Sequence, residues 1–220
     1  MQFIDRRNAG KKLAHALVGY RDRRDAIVLA LPRGGVPVAY EVAQALNLPL
    51  DLMLVRKLGV PGHEELAMGA IANGNVQILN EDIVKTLGIS DAAIKEVAAE
   101  EHEELLRRNE AYRNGRAAPE LKGLTVILVD DGMATGANMR AAVMAARKQH
   151  AAHIIVAVPV SSDAACNSIE KIADEVISLQ TPSPFYGVGQ WYLDFSQTSD
   201  VEVQSLMKQL EPKKKRGAKS

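Results

Sequence analysis

Five apolar, β-rich runs recur along the chain: AIVLAL (26–31), LDLMLV (50–55), TVILV (125–129), HIIVAVPV (153–160) and DEVISL (174–179). Each is short and bounded by polar or turn-forming positions, which predicts strands. Between several of them the apolar positions change to helical spacing. Val38, Val42, Ala45 and Leu46 mark one such face, and Met139, Ala142, Val143 and Ala146 mark another. Nearly continuous apolar strands separated by amphipathic helices predict an α/β fold: an open, mainly parallel sheet with helices on both faces. Ligands of such sheets gather at the carboxyl ends of the strands.

Two stretches interrupt the alternation. Residues 56–80 read RKLGVPGHEELAMGAIANGNVQILN, in which Gly59, Pro61, Gly62 and Gly74 punctuate two short β-like runs and predict a hairpin or mobile loop. A long helix is then expected from about Ser90 to Arg113, as a solvated element. Glu103 with Arg107, and Glu104 with Arg108, have the favourable four-residue order on it. No internal repeat is present, and no linker interrupts the chain before Pro212. Residues 1–211 therefore read as one domain, and PKKKRGAKS (212–220) as a basic, disordered tail.

Apolar residues make up 47% of the 220 and charged residues 25%, a globular balance. Basic and acidic side chains number 27 each, but Lys213, Lys214, Lys215, Arg216 and Lys219 sit in the tail, so the body is mildly acidic. No nucleic-acid surface is expected from it. Cys166 is the single cysteine and cannot form an internal disulfide. MQFIDRRNAGKKLAHAL has no signal-peptide core, and no apolar run approaches membrane-spanning length. A soluble, cytoplasmic protein is expected.

The chemistry concentrates in VILVDDGMATGAN (126–138), where an apolar strand ends in two adjacent aspartates. Like charges side by side repel, and each is costly to desolvate unless a cation or a donor meets it. They are either solvated at a capped turn, or they await a ligand. A response-regulator pocket also carries acids, but after an early strand, whereas this pair follows the third predicted core strand. Ionised carboxylates offer only acceptors, so an adjacent pair suits the two hydroxyls of a ribose diol. The small residues Gly132 to Ala137 let backbone N–H groups approach an anion, and the helix starting near Asn138 adds the positive end of its dipole.

This stretch resembles the phosphoribosyl pyrophosphate signature of type I phosphoribosyltransferases: an apolar run, two acids, a short spacer, Thr-Gly and a small residue. The resemblance implies that Asp130 and Asp131 hold the ribose diol, while Ala134, Thr135, Gly136, Ala137 and Asn138 cradle the 5-phosphate. Asn138 stands where the family usually carries a hydroxyl residue; its amide can still donate. Pyrophosphate would meet Arg33, Gly34 and Gly35 after the first core strand, together with Arg56 and Lys57 after the second, where the family carries basic residues. Asp130, Asp131, Arg56 and Lys57 are then the expected catalytic residues. The segment at 56–80 would be a flap, its moving part Leu58 to Leu66 hinged at Gly59 and Gly62 and closing over the reacting ribose.

Residues 181–210 would form a hood over the acceptor base, with Phe185, Tyr186, Trp191 and Tyr192 as stacking candidates and Gln190 and Asp194 as edge readers. Family members acting on 6-oxopurines commonly carry a carboxylate before the Thr-Gly. Ala134 occupies that position here, so the chain is more similar to adenine- or orotate-type members. The implied activity is magnesium-dependent pentosyl transfer from phosphoribosyl pyrophosphate to a nitrogen nucleophile, without a direct protein ligand to the metal. A donor-binding regulator without turnover is the alternative. The expected partners are the donor and a small nitrogenous acceptor, with no membrane, and a second copy of the chain as a further candidate.

Overall fold

A computed structural model describes residues 2–74, 76–113 and 115–210; the expected basic tail lies outside them. The elements run α1 (Arg6–Ala16), β1 (Ala26–Ala30), α2 (Gly35–Leu46), β2 (Leu50–Leu52), β3 (Val55–Val60), β4 (His63–Ala72), β5 (Val76–Leu79), α3 (Glu81–Thr86), α4 (Asp91–Arg113), β6 (Thr125–Val129), α5 (Ala137–Lys148), β7 (His153–Val158), α6 (Asp163–Ile169), β8 (Glu175–Ser178) and α7 (Asp200–Gln209). Five strands form the central sheet in the order β2-β1-β6-β7-β8, every neighbouring pair parallel. The expected α/β architecture is the one found.

The strands lack polar alternation because both faces of the sheet are covered. Successive side chains on a strand point to opposite faces. Val28, Ala30, Ile127, Val129, Ile155 and Ala157 pack with Leu13 of α1 and with Val38 and Val42 of α2. Their neighbours Ile27, Leu29, Val126, Leu128, Ile154 and Val156 pack instead with Met139 and Val143 of α5 and Ile169 of α6. This two-sided burial fixes the carboxyl ends of β1 and β6 side by side.

Elsewhere the structure corrects the sequence reading. The run at 50–55 is two strands, because the chain leaves the main sheet after Leu52. The Met53 amide still donates to Ala30 O (2.8 Å), whereas the Leu54 amide donates to the Asn73 side chain (2.9 Å). Residues 55–79 then form a separate antiparallel sheet, β3-β4-β5, which contains the expected hairpin. Its base is firmly packed: Leu58, Val60, Met68 and Ile71 join Ile94 and Leu105 of α4 in the core. Its tip around Pro61–Glu64 is exposed.

The long helix is not a solvated element either. Glu104, rather than Glu103, supplies its intrahelical pairs, reaching Arg107 and Arg108 at 2.7 Å each. Arg113, in its last turn, is fully buried; its Nε meets Asp51 Oδ1 at 2.7 Å and its Nη2 donates to Leu52 O at 2.6 Å. Of the expected hood, residues 200–209 are α7, whose Val203, Leu206 and Met207 belong to the core beside α2 and α4. No helix among the described residues is long and apolar enough to cross a membrane.

Arg113→Ala would strand Asp51 and the Leu52 carbonyl and leave a void under β2. Breaking a buried pair from one side typically costs 3–5 kcal/mol, and Asp51 keeps some water contact. A loss of about 3 kcal/mol in urea unfolding is therefore expected. A loss below about 1 kcal/mol would show that the clamp is dispensable.

Candidate active site

β6 and β1 deliver the two central loops to one place. The Leu31 amide donates to Val129 O (2.9 Å), so the turn after β1 runs directly against Asp130 and Asp131. The Pro32–Arg33 peptide there is cis. A Cβ at Gly34 would lie 2.0 Å from Asp131 Oδ2, and one at Gly35 would lie 2.7 Å from Val129 O. These contacts are too close for any side chain. The pair of glycines is thus needed because the aspartates lie against the backbone of this turn.

Each aspartate is met differently. Asp130 Oδ1 accepts the Asp131 amide at 2.8 Å. Asp131 Oδ2 accepts Arg6 Nε at 2.7 Å. The same guanidinium lies 3.9 Å from the centroid of the Phe195 ring and donates through Nη1 to Ser196 O at 2.6 Å. Tyr192 donates its hydroxyl to the Asp131 carbonyl at 2.6 Å. Burial pushes the Asp130 carboxyl well above the usual range, and the charge on Asp131 adds to that. Burial also raises Asp131, but Arg6 opposes the rise. Asp131 is therefore the better anion of the two, and Asp130 the more readily protonated. Burial, then Asp131, raises Tyr192, which keeps its hydroxyl a donor.

Arg6 escaped the sequence reading because nothing in DRRNAG marks which charge folds inward. The signal available was indirect: two buried acids demand a cation. N-terminal residues reach the site because Phe3 pairs with the hood. Its amide donates to Trp191 O and its carbonyl accepts from the Leu193 amide, each at 2.8 Å.

The turn after the aspartates is held from β7. The Met133 amide donates to Val160 O, and the Ser162 amide donates to Met133 O, both at 2.9 Å. Ser162 Oγ, also missed from the sequence, donates to Ala134 O at 2.7 Å. Gly136 has φ +73°, which lets the chain turn into α5, and the first helical bond runs from the Arg140 amide to Gly136 O (2.8 Å). The preceding amides point off the helix end beside exposed Ala134, Thr135, Ala137 and Asn138.

Residues 4–196 match the family model described as the phosphoribosyl transferase domain. The chain belongs to that family. Two Mycobacterium tuberculosis proteins, from strains CDC 1551 and H37Rv and each named "Putative phosphoribosyl transferase", are 45% identical over 205 residues, covering 93% of this chain and 46% of their own. The chain thus spans about half the length of these curated relatives. The Thermus thermophilus protein TT1426, known as a crystal structure, is 40% identical, with a TM-score of 0.86 over 96% of this chain and 99% of its own.

Within this phosphoribosyltransferase domain, a cavity of about 40 Å³ brings together Pro32, Arg56, Arg108, Asp130 and Asn138. Arg56 Nε lies 2.5 Å from Glu101 Oε2. Lys57, next along β3, points to the opposite face of the strand and does not line the cavity. Arg33 reaches Asp200 Oδ1 at 3.5 Å. The hood aromatics divide. Tyr192 is buried beneath Phe3, Phe185 and Trp191 pack partly buried in the same cluster, and Tyr186 is 84% exposed. Among the described residues, no three His, Cys, Asp or Glu side chains gather as a metal site.

Because the folded-state pKa of Asp130 is raised, its carboxyl favours folding below the unfolded pKa. That contribution is lost as pH rises through the folded value. Asp130→Asn keeps the acceptor for the Asp131 amide and removes the buried charge. It should stabilise the free protein at pH 7 by about 1 kcal/mol, with the gain vanishing below about pH 4. Chemical unfolding at both pH values checks this; lower stability at pH 7 would contradict the assigned burial cost.

Proposed function

We propose that the chain transfers ribose 5-phosphate from phosphoribosyl pyrophosphate to a nitrogen nucleophile of the nucleobase class, releasing pyrophosphate. The observation that carries this reading is the contact of Gly34 and Gly35 with Asp130 and Asp131, one turn from the opening of α5. Donors for a diphosphate, acceptors for a diol and a helix end for a monophosphate then lie in the order in which the donor carries them.

The residues divide the work. Asp130 and Asp131 accept the ribose hydroxyls; Arg6 takes Oδ2 of Asp131 and leaves Oδ1 to the sugar. The amides from Gly136 to Met139 receive the 5-phosphate. Arg33, Arg56 and the Gly34–Gly35 backbone receive the pyrophosphate and stabilise the charge it gains on leaving. Positive charge growing on the ribose faces the carboxylate pair. No side chain acts as a nucleophile, so acceleration comes from positioning and electrostatics. Two adjacent carboxylates with substrate phosphates form an all-oxygen environment of the kind magnesium takes. Arriving on the donor's own oxygens, magnesium would supply neutralisation of the pyrophosphate.

Asp131→Asn should weaken donor binding about ten- to hundredfold, the effect of losing a charge-assisted acceptor worth 1.5–3 kcal/mol. Calorimetry with phosphoribosyl pyrophosphate and magnesium measures it, and an Asp130→Asn/Asp131→Asn protein with unchanged affinity would remove the ribose assignment. A pyrophosphate-release assay across a panel of bases tests turnover. Tight donor binding without turnover on any base would leave a donor-binding regulator.

The exposed hairpin tip, residues 61–64 with Leu66, is the segment able to shield the reacting ribose from water, since β3 and β4 are packed at their base. Its amide hydrogen exchange should slow on adding donor and magnesium. Equal exchange with and without ligand would move the shield elsewhere.

A further inference from the structure

Two guanidinium groups from distant stretches of chain line one cavity with Asp130, and a third, Arg33, reaches the neighbouring Asp200. Arg56 comes from β3 and lines the cavity that also contains Asp130 and Asn138. Arg108 comes from α4 and lines the same cavity, with buried Leu105 seating the helix beside it. Arg33 comes from the turn after β1. The Tyr112 hydroxyl donates to Asp200 Oδ1 (2.7 Å), the carboxylate that Arg33 reaches, and it feels the charges of both Arg108 and Arg33.

In the free protein each of the three rests on a helix carboxylate: Arg56 on Glu101, Arg108 on Glu104 and Arg33 on Asp200. Carboxylate and phosphate present similar paired oxygens to a guanidinium, and a diphosphate carries more charge and more acceptors than one carboxylate. Releasing Arg108 would not strand Glu104, because Arg107 holds the same carboxylate at 2.7 Å. Arg107 is 61% exposed and does not line the cavity. One arginine is thus free to change partner while the other keeps the carboxylate neutralised.

We propose that Arg108 is a substrate-binding residue for the donor's diphosphate, exchanging Glu104 for phosphate oxygens and making α4 one wall of the site. This rests on the donor reading above. Calorimetry with two separate probes, pyrophosphate with magnesium and ribose 5-phosphate, tests it. Arg108→Ala should lower pyrophosphate affinity about ten- to hundredfold and leave ribose 5-phosphate binding unchanged. Arg108→Lys should recover part of the loss, as a charge without the planar fork. Arg107→Ala, which also removes a Glu104 pair, should leave both affinities as in the wild type. Wild-type affinity for pyrophosphate in Arg108→Ala, or an equal loss in Arg107→Ala, overturns the inference while leaving the donor reading in place. Wild-type protein that binds neither probe overturns the donor reading and this inference with it.

Discussion

Two adjacent carboxylates at the buried end of a strand are the constraint around which the site is organised. Water would satisfy them at little cost; the packed ends of β1 and β6 deny them much of it. Arg6 brings a cation from α1, Tyr192 brings a hydroxyl from the hood, and the Asp131 amide folds back onto Asp130. Gly34 and Gly35 are the steric consequence, since a side chain at either would occupy the space of the aspartates. The Phe3 pairing with residues 191–193 ties the two ends of the described chain together, so that Arg6 and Tyr192 reach the same aspartate.

A second pattern follows from the first. The candidate site's arginines are neutralised before any ligand arrives: Arg6 by Asp131, Arg33 by Asp200, Arg56 by Glu101 and Arg108 by Glu104. Several unpaired cations around one small cavity would repel one another and lower stability. Resting them on carboxylates removes that cost, and an incoming anion then gains only the difference between two partners. On the proposed function, affinity would be set by how much better a polyphosphate is than a carboxylate, and selectivity for the more highly charged ligand would come from the same comparison.

The α/β class, the small turn and the two acids were legible in the linear sequence because each is written in neighbouring residues. Strand burial on both faces shows as continuous apolar runs, and VDDGMATGAN holds its two acids, small turn and helix start within one local stretch. Partner choice is not local. Arg6, Ser162 and Arg108 look like any surface polar residue until the chain brings them to Asp131, Ala134 and the cavity beside Asp130. Likewise, Arg113 reads as the charged end of a solvated helix, yet it is fully buried on Asp51. Lys57 matched the basic pair expected after the second strand, but strand pleating turns it away from Arg56. The hood aromatics were grouped by spacing, whereas packing against Phe3 buried Tyr192 and left Tyr186 in solvent. Periodicity and adjacency are properties of the chain, so sequence alone determined the fold class and set two acids beside a small turn at a strand end. Which charge neutralises which, and which ring is covered, depends on distances between segments up to about 190 residues apart, and only the tertiary structure decided them.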